Sequence, residues 1–521
     1  MFSRFGLHTI LGLLCLAVFF VGCSSKSEPQ TSNTLRIGNG AEPNSLDPHV
    51  ATTIAEAHIV NALFEGLIAA SPHNDKDIVP GVASNWETNE TFTRFTFTLR
   101  SDAKWSDGTP VVSQDFLNTY ERLLNPNFGA ANAAFLYDLK NAKAYNEGSL
   151  SNFEEVGVAT PDSQTLVLTL ENPTLHFLQK LKHWSWRPIH RPSIEASGGY
   201  HDIANNWATH AQFVSNGPYS LENWRRNERI VLIENPHYWD AQNVSISSLH
   251  FYPFENTQTE FRAFQSGQLD ITEEIPSEQM GRNPESERND PALATTYLLL
   301  NNESPRLDDM RLRQALSQAI DRKLLIRAIE KSGLPATRFT PGSMPDYEAA
   351  DFATNDQPEK VILTEPLQFL VSNRESSIAL AEAMQEMWQR KLGIEIRIQN
   401  MEFKSLLARL DAGDYDLSYL AWHGDYIDPM AFLEIWQSDS HFNRARWKEP
   451  RFDALIKAAT KTADPVDRFA KLAEAETLLG KELPIIPIFW KTKDYLISPK
   501  VKQWPASLID LRSYKGIKLS Q

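Results

Sequence analysis

Beyond residue 23 the sequence contains no cysteine; the two it has are Cys15 and Cys23. The body of the chain therefore has no thiol and no disulfide. That excludes cysteine nucleophiles, iron–sulfur clusters and cysteine-based metal sites. A chain of 521 residues buries enough surface to stand without covalent staples. Positive charge is also in short supply. Lys and Arg number 51 against 66 Asp and Glu, for a net charge of −15. With no basic stripe to displace counterions, the balance argues against nucleic acid as a partner and against a polybasic contact with anionic lipid. The acidic excess favours solubility. No internal repeat is present. No apolar run approaches the roughly 20 residues that span a bilayer.

Catalytic signatures are missing as well. There is no G-x-S-x-G elbow, no H-E-x-x-H and no phosphate-cradling G-x-x-x-x-G-K-[ST] loop. Gly38-Asn39-Gly40 opens like a dinucleotide loop, but Pro43 stands where the last glycine belongs. His237 and Asp240 could face one way on a helical turn, but a surface pair, or a buried histidine satisfied by backbone, is the better explanation. Glu273-Glu274 offers two carboxylates, but neighbouring side chains point apart and a solvated strand end accounts for them. Catalytic groups assembled in space leave no linear motif, so these absences weigh against an enzyme by default only.

What is present begins with a leader. Arg4 and His8 precede an apolar run at 10–20 interrupted only by Gly12. Phe20-Val21-Gly22-Cys23 follows, then a Ser-, Asn- and Gln-rich stretch to Asn33. A basic start, a short apolar core and a small residue before the cut describe a secretory signal. The polar stretch reads as a flexible tether. The whole resembles a bacterial lipoprotein signal with Gly22-Cys23 as the cleavage pair. The resemblance implies a signal over 1–22, a tether over 23–33, and Cys23 as the acylated first residue of the mature protein. A plain signal peptide with a chance cysteine is the alternative.

Past the tether, elements alternate. Leu35-Arg36-Ile37, 92–99, 164–170, 229–233, 368–371, 394–398, 417–420 and 484–490 read as strands, several with a two-residue apolar period. Helices are expected over 54–68, 310–329 and 376–391, the last closed by Gly393, and as a pair over 451–479 broken at Asp464-Pro465. Such alternation argues an α/β fold. Trp422, Trp436, Trp447 and Trp490 stand beside turn-like acidic segments, and aromatic walls are a usual lining of ligand clefts.

A series of motifs then runs in order along the chain. Glu42-Pro43-Asn44-Ser45-Leu46-Asp47-Pro48-His49 is followed by Leu63-Phe64-Glu65-Gly66-Leu67 and Val79-Pro80-Gly81-Val82-Ala83-Ser84-Asn85-Trp86. Next stand Lys104-Trp105-Ser106-Asp107-Gly108-Thr109-Pro110 and Gln114-Asp115-Phe116. Asn216-Gly217-Pro218-Tyr219, Asn235-Pro236-His237-Tyr238-Trp239, Gly267-Gln268-Leu269-Asp270 and Asp309-Met310-Arg311-Leu312-Arg313 complete the set. Most of these are expected to hold the fold: Asp107-Gly108-Thr109-Pro110 is a tight turn that Trp105 pins, and Gln114-Asp115-Phe116 begins a helix.

Together they resemble the extracellular solute-binding proteins of ABC importers, peptide/nickel class, and among them the oligopeptide-binding proteins. The resemblance implies a two-lobe periplasmic-binding-protein-like α/β fold with a hinge and an extra third domain. Lobe I would comprise 34–64, 190–295 and 491–521, the extra domain 65–189, and lobe II 296–490. It implies a binding protein, not an enzyme, with no cofactor and no metal. The protein would be a monomer at the extracytoplasmic face, anchored to the membrane by lipid, with an oligopeptide ligand and ABC permease subunits as partners.

Ala421-Trp422-His423-Gly424-Asp425 resembles the segment whose aspartate receives a peptide's ammonium group, which puts that role on Asp425. A turn-capping role before Pro429 is the plain alternative. By the same resemblance, main-chain groups at Ala421 and His423 would pair one edge of the peptide and those at Thr52 and Ile54 the other, with Trp422 walling a pocket. Main-chain pairing is blind to side chains. The basic residues expected at the peptide's carboxyl end are replaced by Leu410, Asp411 and Tyr419. Ser377 stands for a histidine, with Arg374 nearby, and Asn132 for a tyrosine. Binders of dipeptides, murein peptides, nickel chelates or oligosaccharides share this fold and remain alternatives. A surface protein using the fold for adhesion or signalling is another, and a cell-envelope peptidase a more distant one.

Overall fold

The computed structural model describes residues 33–209, 213–330, 332–352, 363 and 365–520. The signal, nearly all of the tether and Cys23 lie outside the described residues. Among the described residues, no helix is long and apolar enough to cross a membrane.

Two extensive hydrophobic cores divide the molecule. The first gathers side chains from Leu35 to Ile271 together with Tyr495 to Ile517. It covers two four-stranded sheets. Thr34–Gly38 pairs in parallel with Ser248–Tyr252, and Arg229–Glu234 and Tyr219–Arg225 extend that sheet. Ala83–Thr88, Arg94–Leu99, Thr165–Thr169 and Val158–Asp162 form the other. The alternation in Phe95, Phe97 and Leu99 is real: all three are buried, while Arg94 and Thr98 face out. The second core runs from Leu293 to Phe489 around a six-stranded sheet. The order there is Leu334–Pro335, Ile485–Leu496, Glu287–Leu300, Leu417–His423, Leu367–Ser372 and Ile396–Met401. The helix Glu375–Leu392 buries Leu380, Met384 and Trp388 against it, at the spacing of one helical face. The result is a two-lobe α/β structure.

Two long strands carry the chain between the cores. Glu287–Leu300 and Ile485–Leu496 pair antiparallel from Glu287 opposite Leu496 to Leu299 opposite Ile485. Their outer ends join the first core, where the Thr272 amide donates to the Leu496 carbonyl at 2.9 Å.

Several sequence expectations need correction. The helix expected over 54–68 ends at Leu63, and Ile68 opens a strand. The helix expected over 310–329 breaks after Ala319, because the Asp321 carboxylate caps a new turn at the Leu324 amide. Trp436 and Trp447 are core residues rather than cleft walls. By contrast, Asp464 caps the helix Pro465–Glu482 as its position before proline predicts, and Gly393 closes its helix at φ +73°.

The recurrent motifs hold the fold. Gly108 takes φ +88°, and Trp105 clamps its turn through main-chain bonds to Gly108 and Thr109 and an indole bond to Asp115 at 3.2 Å. The Glu65 carboxylate, buried, accepts from the Tyr238 hydroxyl and from the Trp239 indole at 2.6 Å, tying two distant motifs together. Asn216 brackets the Glu65 main chain. A Cβ on Gly217 would lie 2.6 Å from the Leu63 carbonyl carbon, so glycine is required there. Asp47 receives two guanidinium bonds from Arg122 and the Trp207 indole, all buried. His237 packs on Gly108 and Asp240 pairs with Lys515, so these two do not form a joint site.

Candidate ligand-binding cleft

A cleft of about 640 Å³ lies between the cores, within the roughly 300–1,000 Å³ usual for small-molecule sites. Its walls come from distant parts of the chain. They include Thr52 and Ile54, His183 and Trp184, Glu273 and Glu274, His423 to Asp425, Lys491 to Asp494, and the loop 507–511.

Asp425 stands two residues past the end of the strand Leu417–His423. The strand is buried where it enters the core, at Leu417 and Ser418, and its end is held by the Gly424 amide donating to the Leu293 carbonyl at 2.8 Å. Gly424 is fixed sterically: a Cβ would come within 2.7 Å of Phe432. The Asp425 side chain is exposed to the cleft, with protein crowding it on its other sides. Burial first, then the like charge of Glu434, push its carboxyl up to about 6 against the pull of Lys180. No hydrogen bond among the described residues reaches that carboxylate, and Lys180 is committed to Asp138 at 2.7 Å. Three residues on, Asp428 shows the opposite state. Arg468 grips both its oxygens at 2.7 Å, and burial is outweighed by His176 and Arg468, which hold its carboxyl below the usual range.

The strand edge next to Asp425 is open. Leu367–Ser372 pairs with Leu417 and Ser418 only, so along Ala421–His423 the far edge has no strand partner among the described residues. An extended ligand could add itself there. Opposite stands the helix Ile54–Leu63. Thr53 and Glu56 form a capping box at its start. Glu56 also accepts from the Thr52 amide at 2.8 Å, so Thr52 offers a ligand its carbonyl rather than its N–H. Ile54 is the first helical residue and is exposed; first-turn N–H groups have no partner within a helix. The preceding loop is held by Asn132 and the Trp184 indole, which both donate to the Ala51 carbonyl, at 2.6 and 2.9 Å. Asn132 therefore supports the cleft from behind.

Of the residues singled out in the sequence, Thr52, Ile54, His423 and Asp425 line the cleft. Ala421 is not part of that lining but is exposed on the open strand edge beside it, and Trp422 is absent from the lining. The Trp422 indole donates to the Ala431 carbonyl at 2.7 Å and its ring meets Phe442 edge-on. Leu410 is fully buried, Asp411 binds Arg444 at 2.7 Å, Ser377 binds Ser372, and exposed Arg374 does not reach the cleft lining. Sequence reasoning missed His183, Trp184, Lys491 and the loop 507–511, because long-range pairing brings them in. The neutral imidazoles are set by burial. His183 is pushed down to about 3 by burial and then by Arg187, and His423 to about 4 by burial and then by Lys491.

One cluster has the donors for a cation. His58, Glu273 and Asp510 bring ligand atoms within 4.8 Å of one another. The Lys493 ammonium already supplies the positive charge there, in contact with Glu273 and 3.0 Å from Asp510. Glu273 and Asp510 raise the lysine's proton affinity despite its burial. This is an internal ion network, and a metal would have to displace a lysine.

Comparison with known proteins agrees with this architecture. Residues 77–444 match the family described as bacterial extracellular solute-binding proteins, family 5 middle. The chain is 33% identical over 500 residues to the periplasmic oligopeptide-binding protein OppA of Salmonella typhimurium, covering 90% of this chain and 89% of that one. It is 31% identical over 488 residues to the periplasmic murein peptide-binding protein MppA of Escherichia coli, covering 89% of each. The solved structure titled as the unliganded open form of the periplasmic murein tripeptide-binding protein MppA superposes with a TM-score of 0.82 at 28% identity, over 94% of this chain and 97% of that one. With a family model over most of the chain, a relative 33% identical along 90% of it and a cleft between two lobes, the chain belongs to the bacterial extracellular solute-binding proteins of family 5, which bind solutes for transport and are not enzymes.

Proposed function

We propose that this protein captures oligopeptides in the cleft and delivers them to the permease of an ABC importer. The observation that carries the reading is Asp425, a carboxylate without a hydrogen-bond donor at the mouth of an open strand edge. A peptide ammonium supplies the missing charge and three donors. Its main chain would add to Ala421–His423. The lobes, in the division 34–64 with 190–295 and 491–521 against 296–490, would close over it about the two long strands, with 65–189 as the extra domain. Closure requires a ligand that binds the closed form better than the open one. Asp425 favours an amine-bearing ligand over an oligosaccharide. Calorimetry on one peptide in free and N-acetylated forms tests the reading: acetylation should cost about two decades in affinity. Equal affinities would return Asp425 to a turn-capping role.

The anchor is proposed from the leader. Gly22-Cys23 and the polar tether support acylation of Cys23. Since one acyl chain binds a membrane only reversibly, stable anchoring implies several. Cys23→Ala should move the protein from the membrane to the soluble fraction; unchanged, detergent-only extraction would refute the anchor.

A further inference from the structure

Most charges in the cleft already have partners. Lys493 sits between Glu273 and Asp510. Asp494 accepts from Asn289 and Thr492. Lys491 differs. It is half-buried, lines the cleft, and among the described residues no hydrogen bond or ion pair engages its ammonium group.

Sheet register places it. Trp422 and Trp490 both pair with Thr295 of the central strand, from opposite sides. His423 and Lys491 each stand one residue further on, flanking the central strand where its register shifts between Pro291 and Thr295. Two strand spacings, roughly 10 Å, separate their backbones. The ammonium is close enough to act on the His423 ring, which Lys491 holds neutral after burial has done most of the work. A partly desolvated cation with no counter-ion gains most from an anion when water leaves the cleft. The positions that the family resemblance assigned to carboxylate recognition do not serve here. Leu410 is buried in the core and Asp411 is taken by Arg444.

We propose that Lys491 receives a carboxylate of the bound ligand, complementary to the ammonium received by Asp425; this rests on the peptide reading of the cleft. Two sources of that carboxylate exist. A carboxyl terminus at Lys491 belongs to a peptide short enough to end inside the cleft. In a longer peptide the group is an aspartate or glutamate side chain.

Calorimetry on the full-length protein tests this with Ala-Glu-Ala, its carboxyl-terminal amide, and Ala-Gln-Ala, each against the wild type, Lys491→Met and Lys491→Arg. One of the two modified peptides should bind the wild type about tenfold more weakly than Ala-Glu-Ala. A loss on the amide identifies the terminus as the source; a loss on the glutamine peptide identifies the side chain. In Lys491→Met that difference should vanish, and Lys491→Arg should restore it. Differences that persist in Lys491→Met, or no difference on the wild type, would overturn the assignment while leaving peptide binding intact. Failure of all three peptides to bind the wild type would instead remove the peptide reading, and the role of Lys491 with it.

Discussion

Asp47 is sealed inside a core while Asp425 stands open at the cleft, and the chain treats the two carboxylates in opposite ways. Asp47 lies at the heart of the first core. Burial works against its charge, but Arg122, His49 and the Trp207 indole overcome it and hold the carboxyl below its ordinary range. Four donors are aimed at it: guanidinium nitrogens at 2.9 and 3.4 Å, the indole at 2.8 Å, and the His49 amide at 2.9 Å. Asp425, at the cleft, has no such donors and is pushed up to about 6. A carboxylate that holds a fold is satisfied within the chain. One left short of donors in a cleft is poised for a donor from outside. Asp428, three residues from Asp425 and gripped by Arg468, shows that the same segment can build either kind.

The comparison breaks most visibly at Asp47. Arg122→Ala leaves a buried, partly satisfied charge and should destabilise the protein by about 3–5 kcal/mol, read as a lower urea midpoint. Peptide affinity of the molecules that remain folded should be unchanged, because Arg122 does not line the cleft. A shift smaller than about 1 kcal/mol would mean that water or relaxation replaces the guanidinium, and the contrast with Asp425 would weaken.

Asp425→Asn is the converse and the next largest effect. At neutral pH it should raise the urea midpoint slightly rather than lower it, since no partner is lost and a charge that disfavours the folded state is removed. It should cost about 3 kcal/mol in binding of a free peptide, or about two decades. Combined with N-acetylation of the peptide the losses should not add, because each removes one half of the same pair. Full additivity by calorimetry would mean that ammonium and carboxylate do not meet.

How far the sequence anticipated this contrast depends on range. Local chemistry was legible. Gly108 at positive φ, Asp464 capping before Pro465, and the period-two run at Phe95, Phe97 and Leu99 are each decided within a few residues. The place of Asp425 in the cleft wall was legible through the family resemblance rather than through spacing. The strand Glu287–Leu300 was not, because Glu287-Arg288-Asn289-Asp290-Pro291 looks like a polar loop. Its pairing with Ile485–Leu496, some 200 residues away, overrides that composition. Lys491 was hidden for the same reason: it enters the cleft only through that register. Trp436 and Trp447 misled because a tryptophan beside acidic turns reads alike in a core and in a cleft wall.

The smallest effect expected is in pH, and there the two carboxylates differ in sign. The group at Asp47 has its folded-state affinity for protons lowered, so its contribution to stability is present at neutral pH and is lost as pH falls through the carboxylate range. Asp425 is raised from 3.8 to about 6. In the unliganded protein it therefore disfavours the folded state as pH rises from about 4 through 6. Ligand binding runs the other way, since only the ionised carboxylate pairs with an ammonium. Between pH 7 and 5.5 the ionised fraction of a group titrating near 6 falls roughly fourfold, and the affinity for a free peptide should fall with it, by about 0.8 kcal/mol. The histidines of the cleft do not confuse the measurement, because His423 and His183 titrate at about 4 and about 3 and stay neutral across this interval. Calorimetry at the two pH values should show the slope in the wild type and none in Asp425→Asn. The same slope in both would place the titrating group elsewhere in the cleft, and the unpaired state of Asp425 would lose its functional meaning.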